Sequence, residues 1–234
     1  MEYTLQGSDT FPIVVLPLTA RQSVQIESGA MIYHNGDVTL TGKMNSNGKK
    51  GLGGLMSAIG RSVTSGESFF ITTATGTTAG GELGIAPGNP GAIKALTLDA
   101  THQWYLNTGA FLAGEATTSY SMVSQHVGGA LFGGTGGFFI MHTAGAGEML
   151  VSAYGDMLAL DLDGTHDYVV DNSHVVAWAD TLDYHIEAAS GVLGFTTGEG
   201  LVNRFSGRGR VYIQTRNVEA LAKLIVPYVP SKQS

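Results

Sequence analysis

The stretch Gly136–Asp180, GGFFIMHTAGAGEMLVSAYGDMLALDLDGTHDYVVDNSHVVAWAD, decides the fold. Short apolar runs such as Phe138-Phe139-Ile140 and Tyr168-Val169-Val170 alternate with glycine and aspartate turns, a pattern of strands rather than helices. Its pieces recur elsewhere in the chain. Phe138-Phe139-Ile140 repeats Phe69-Phe70-Ile71, Gly147-Glu148-Met149 repeats Gly81-Glu82-Leu83, and Asp163-Gly164-Thr165-His166 repeats Asp99-Ala100-Thr101-His102. The frame Val170–Val176 matches Leu106–Leu112, and it occurs again at Ile26–Ile32. Self-similarity of this kind makes the chain read as about three copies of one β-unit.

Composition agrees with a β-protein that has a sizeable core. The chain has 234 residues, 43% of them hydrophobic, with a mean hydropathy of +0.12. Charged residues reach only 13%, against roughly 25% in an average soluble protein. Thirty-four glycines scattered among apolar runs imply many tight turns. No cysteine is present, which excludes disulfides, cysteine metal sites and thiol catalysis. The N-terminus shows no basic segment followed by an apolar core. The longest near-apolar run, Phe11–Leu18, contains Pro12 and Pro17 and is far shorter than the roughly 20 residues of a membrane span. A cytoplasmic protein is the expectation.

Charge is unevenly placed. The net charge is -7, yet between Ser62 and Asn203 the only basic residue is Lys94. The remaining lysines and arginines lie in the two ends. An acidic body with one basic region can orient an acidic partner or an anionic surface, and it also simply favours solubility.

In chain order, Pro12 and Pro17 predict edge strands at the N-terminus. Asn35-Gly36-Asp37 predicts a turn between strands. In GLGGLMSAIGR (51–61), Leu52, Leu55, Met56 and Ile59 follow helical spacing, so a short inserted helix is expected there, weakened by its glycines. A second glycine-rich connection, 128–137, holds the same place before the next Phe-Phe-Ile run. Arg210–Arg216 alternates, with Val211, Ile213 and Thr215 on one face and Arg210, Tyr212, Gln214 and Arg216 on the other. Val218, Leu221, Leu224 and Ile225 predict a terminal helix stopped by Pro227. The expected division is a first module at 1–65, a second at 66–135 and a third at 136–234, packed as one compact unit.

Gly66–Phe70, the Pro87–Ile93 turn, His174-Val175-Val176-Ala177 and above all Phe205–Arg216 (FSGRGRVYIQTR) carry a family resemblance. They resemble the mitochondrial biogenesis "altered inheritance of mitochondria 24" family, in its prokaryotic branch, over nearly the whole chain. The resemblance implies an all-β fold like that of the tryptophan RNA-binding attenuation protein, a double-stranded β-helix type, repeated within the chain. It supplies no catalytic residues and no cofactor.

Four groups of side chains are candidates for function. His174, His185 and Glu187 could contact a small ligand, the last two lying on one strand face. A metal needs three or four convergent ligands, and no such pattern is visible, so no metal or cofactor is expected. His102 and His166 stand at matching positions, which suits a structural job in a turn. Arg210, Tyr212 and Arg216 could present an RNA-binding face. In so acidic a chain, pairing with carboxylates is the better reading, and nucleic acid is not an expected partner. Leu52, Leu55, Met56 and Ile59 could dock a protein partner or a membrane surface. The combined expectation is an all-β, non-enzymatic scaffold of three repeated sandwich-like modules, forming a homo-oligomer. The competing readings are a ligand-binding protein or enzyme with a pocket between modules, and an RNA binder.

Overall fold

A computed structural model of the chain describes residues 1–45, 69–125, 138–189 and 200–229. The strands are β1 (Thr4–Ser8), β2 (Phe11–Leu18), β3 (Ser23–Glu27), β4 (Met31–His34), β5 (Val38–Asn45), β6 (Phe69–Gly76), β7 (Gly81–Ile85), β8 (Ile93–Leu98) and β9 (Trp104–Asn107). They continue with β10 (Phe111–Glu115), β11 (Thr118–Gln125), β12 (Phe138–Gly145), β13 (Gly147–Ser152), β14 (Met157–Asp163), β15 (Tyr168–Asp171), β16 (Val175–Ala179), β17 (Leu182–Ala188) and β18 (Leu201–Gln214). One α-helix, α1 (Val218–Ile225), follows. The protein is all-β with a C-terminal helix. The helix expected around Leu52–Ile59 lies outside the described residues.

Three sheets result. Their strand orders are β1-β2-β7-β4, then β5-β6-β3-β10-β13-β8, then β11-β12-β9-β16-β18-β14, with β15 and β17 also paired to β18. One pairing scheme operates at three places. β5–β6, β11–β12 and β17–β18 are long antiparallel pairs. The second strand of each also pairs with β3, β9 or β15. The chain then continues into β7, β13 or the second half of β18, which lies between β2 and β4, between β8 and β10, or between β14 and β16. β18 is continuous where the other two places use two strands. It passes through Gly207 at φ 97°, a conformation that glycine adopts without steric cost. The pairs β5–β6 and β11–β12 run across the expected divisions at 65/66 and 135/136.

The prolines of β2 predicted an edge, and the strand is instead flanked by β1 and β7. The register explains how both prolines are tolerated. β1 pairs only Phe11–Val15 and β7 only Val14–Leu18. Pro12 and Pro17 therefore each have a neighbour on one side only, where a missing N–H costs no ladder bond.

Apolar side chains gather in three clusters, centred on residues such as Leu83 and Leu150, Leu106 and Met149, and Trp178 and Phe205. The second half of β18 is covered on both faces. Tyr212 joins one cluster while Val211, with Ile213 against it, joins another. The alternation read from Arg210–Arg216 holds, but the face expected to be open is closed over Tyr212.

At the end of β3, burial raises the Glu27 carboxyl from its ordinary 4.5 to about 7. Between those values the unfolded chain has released the proton and the folded chain still holds it. Stability therefore falls as pH rises through that window and levels off above about 7. Glu27→Gln is expected to flatten the decline in Tm between about pH 5 and about pH 8. Parallel Tm curves for the two proteins would contradict this.

Candidate functional site

The pairing scheme exposes two unfinished places. β10 lies against β3, with Ala113 opposite Ile26, and β16 lies against β9, with Ala177 opposite Leu106. These two junctions bury β10 and β16 almost completely. β4 holds the corresponding place at one end of the array and β15 at the other. Among the described residues neither has the lateral partner that would complete a third junction. All four residues of β4 are exposed. Ile32 is 52% exposed, where Leu112 and Val176, at the matching positions, are 0% and 2%. On β15, Tyr168 and Val169 are 41% and 49% exposed. Neither edge carries the lysine, proline or bulky charge that usually keeps an open strand from pairing. β4 carries two titratable groups, His34 and Tyr33, whose hydroxyl donates to Glu82, and Asp171 at the far end of β15 holds the Ser173 amide and hydroxyl.

The residues proposed from the sequence as ligand contacts are not brought together. His174 sits in a single 3-10 turn, Asn172–His174, and both ring nitrogens are engaged. Nδ1 donates to the Gln214 carbonyl at 2.7 Å, and Nε2 accepts from Asn217 Nδ2 at 2.8 Å. The same Asn217 caps α1 by accepting from the Ala220 amide. His174 is therefore a tie between the turn, β18 and the helix. His185 lies opposite Arg204, near the other end of β18, and is exposed. Glu187 is bound by Arg204 Nη2 at 2.8 Å and Nε at 3.1 Å. Among the described residues no group of three or more His, Asp or Glu could hold a metal ion. His174→Ala is expected to cost about 1–3 kcal/mol in urea unfolding, since it leaves the Asn217 amide and Gln214 carbonyl short of partners. An unchanged midpoint would remove the tie.

A polar cavity of ≈ 310 Å³ does lie near that turn. Asn107, Tyr154, Asn172, Ser173, Gln214 and Asn217 are among its lining residues, and His174 is not. Several of these amides are committed, since Asn107 Nδ2 donates to the carbonyls of Asn172 and Val175, and Gln214 Nε2 donates to that of Ser173.

On the arginine face Arg210 is paired with a carboxylate of the chain itself. Arg210 Nε and Nη2 grip the Asp161 carboxylate at 2.5 and 2.9 Å across the β14–β18 pair. That fork holds the Asp161 carboxyl below its usual range and raises Arg210. Tyr212, proposed as a base-stacking ring, is buried against Trp104, with ring centres 5.6 Å apart. Arg216 Nη1 donates to the carbonyl of Thr215. His102 and His166 belong to matching turns whose carboxylates do the closing. Asp99 accepts from the amide and hydroxyl of Thr101 and Asp163 from those of Thr165, which lowers both carboxyls.

A family model, "Mitochondrial biogenesis AIM24", matches residues 3–216. The chain belongs to the mitochondrial biogenesis AIM24 family. The AIM24-family resemblance read over nearly the whole chain is shown by this match, which spans all eighteen described strands. An uncharacterized protein of Streptococcus pyogenes serotype M6 is 44% identical over 235 residues, covering all of this chain and 93% of its own length. An X-ray crystal structure of a Streptococcus pyogenes protein is 40% identical with a TM-score of 0.79, covering 97% of this chain and 99% of the other. Against this AIM24-family background, no described helix is long and apolar enough to cross a membrane, which says nothing of strands. The exposed apolar residues include those of the two edges and of α1, where Leu224 and Ile225 face solvent, together with Leu5, Phe11, Leu40 and Leu158 on other strands.

Proposed function

We propose that this protein is a non-enzymatic scaffold, built from three copies of one sandwich-like unit, that assembles head to tail with copies of itself. The observation that carries the reading is the contrast between β4 and its counterparts. A strand whose residues are buried at both inner junctions is exposed at the end of the array. Extending the pairing of β10 on β3 and β16 on β9 by one step sets β4 of one copy against β15 of the next. Tyr33 then faces Val170, as Ala113 faces Ile26 and Ala177 faces Leu106. Such a contact joins different surfaces of the two copies. It closes into a ring if the rotation per subunit divides a full turn and otherwise runs on as a filament.

Native mass spectrometry of the freshly purified protein tests this. A discrete multiple of 24.4 kDa supports a ring, and a ladder of masses rising with protein concentration supports a filament. A single 24.4 kDa species at micromolar concentration would refute the assembly.

A further inference from the structure

The cavity of ≈ 310 Å³ beside the 3-10 turn lies where the β9–β10 turn and the end of β13 meet the end of β18 and the start of α1. Asn89, from the turn between β7 and β8, reaches it as well. Ala110, Ala153, Val175 and Val176 are buried and give it an apolar floor, while Asn89 and Thr108 are exposed at its rim.

One polar residue of the lining is buried with that floor. Ser152 is 7% exposed, and among the described residues its hydroxyl makes no hydrogen bond. That hydroxyl is not one of the sealed partnerless atoms of the chain, which are His142 Nε2, Trp178 Nε1 and Asn203 Oδ1, so it opens into the cavity. The fold does not need it. Ala86 holds the same place in the preceding unit, and its N–H donates to the Ala30 carbonyl as that of Ser152 donates to the Ala110 carbonyl. A hydroxyl buried without a partner is unfavourable, and a ligand that bonds to it removes the deficit. The Tyr154 hydroxyl and the side-chain amides of Asn89 and Asn172 are likewise without hydrogen bonds among the described residues. Asn107 and Gln214, by contrast, are spent on holding the walls together.

The lining selects the chemistry of the occupant. It contains no lysine, arginine or histidine, so an anion meets no cation. Its one carboxylate, Glu219, is bound by Lys223 Nζ at 2.8 Å, so a cation finds that charge already paired. The free groups are neutral hydroxyls and amides, which donate and accept together. They also stand on separate segments around the cavity and not along one wall. A planar base carries its polar atoms on part of its outline, whereas a sugar ring carries hydroxyls around its whole rim. The C–H faces of such a ring suit the apolar floor and the Tyr154 ring. The volume is at the lower end of the roughly 300–1,000 Å³ of small-molecule sites, which fits a single ring.

We propose that this cavity binds a neutral polyol of monosaccharide size, with ring hydroxyls bonded to Ser152, Asn89 and Asn172 and one face against Tyr154. None of these residues lies on β4 or β15, so the outcome does not depend on assembly.

Saturation-transfer NMR on the full-length protein tests this, with D-glucose, D-galactose, D-mannose, N-acetyl-D-glucosamine and myo-inositol as probes at up to about 10 mM. Saturable binding of at least one is expected. Ser152→Ala deletes the free hydroxyl and keeps the backbone bond, as Ala86 does, and should raise the Kd about tenfold. Asn172→Ala should raise it by a similar factor and provides the second reading if Ser152→Ala fails to fold. Glucuronate and adenine should bind more weakly than the best neutral sugar. Absence of transfer to all five probes overturns the proposal, and so does a Kd that neither variant changes. Tighter binding of glucuronate or adenine overturns the assignment to a neutral polyol.

Discussion

Val169→Lys returns the assembled protein to a 24.4 kDa species, and so does Ile32→Lys. Each head-to-tail contact uses β4 of one copy and β15 of the next, so either variant alone disables every contact in a homogeneous sample. Both positions are half exposed in the single chain, and the substitutions leave its own fold intact. At a completed junction Leu112 and Val176, which match Ile32, are buried, and an ammonium held there without a partner costs about 3–5 kcal/mol. That is more than about a hundredfold in Kd. Gln25 and Tyr105, which match Val169, are half-buried, so Val169→Lys costs less. The two variants mixed in equal amounts give a sharper result. The Ile32→Lys copy keeps a working β15 and the Val169→Lys copy keeps a working β4, so the mixture forms a heterodimer of twice 24.4 kDa and stops there. A symmetric interface, in which each copy uses the same patch, would not be rescued by mixing. Unchanged assembly in both variants would remove β4 and β15 from the contact.

Much of the strand order was legible because repetition survives in the sequence. The frames Ile26–Ile32, Leu106–Leu112 and Val170–Val176 coincide with β3–β4, β9–β10 and β15–β16. A further signal was present and went unread. Leu16-Pro17-Leu18, Leu96-Thr97-Leu98 and Leu160-Asp161-Leu162 mark the places of β2, β8 and β14, each with a leucine opposite a glycine.

The candidate sites were harder to read, for a physical reason. Ile32 and Leu112 are the same kind of residue in the same frame, and only the neighbouring strand decides that one is exposed and the other buried. Local sequence carries no record of which neighbour is missing. Tyr212 shows the converse. Strict alternation with Arg210 placed it on an open face, but alternation cannot say that Trp104 and Met157 close over that face from other strands. His174 was a ligand candidate, and the matching frames have Ala30 and Ala110 in its place. Its two bonds are to Gln214 and Asn217, some forty residues onward and unrelated to the repeat. The pairing of the arginines with carboxylates was anticipated from charge balance, and Arg204–Glu187 and Arg210–Asp161 follow it.

Phe205→Ala is expected to produce the largest loss of stability of any single truncation in the last cluster, about 3–5 kcal/mol. Phe205 is fully buried on β18, opposite Tyr168 and Tyr184, with its ring 5.5 Å from that of Trp178 and 6.3 Å from that of Tyr184. Trp178 in turn contacts Tyr105 at 5.5 Å, so the cluster reaches from β18 through β16 to β9. Removing the ring forfeits its transfer free energy and leaves a cavity that these strands cannot close. All of them are pinned by ladder bonds on both sides or by the continuous β18. Set against a total of about 5–15 kcal/mol for an ordinary domain, the loss threatens folding at growth temperature. Phe205→Leu keeps more of the volume and costs less. Leu158→Ala, on the exposed side of β14, shifts the urea midpoint by a few tenths of a kcal/mol at most. Equal midpoints for Phe205→Ala and Leu158→Ala would mean that the aromatic cluster does not hold β15–β18 together. The same comparison bears on assembly, because Phe205 lies directly across from Tyr168 at the start of β15. A protein that loses this ring should lose the β15 edge with it, while Val169→Lys loses the edge and keeps the core.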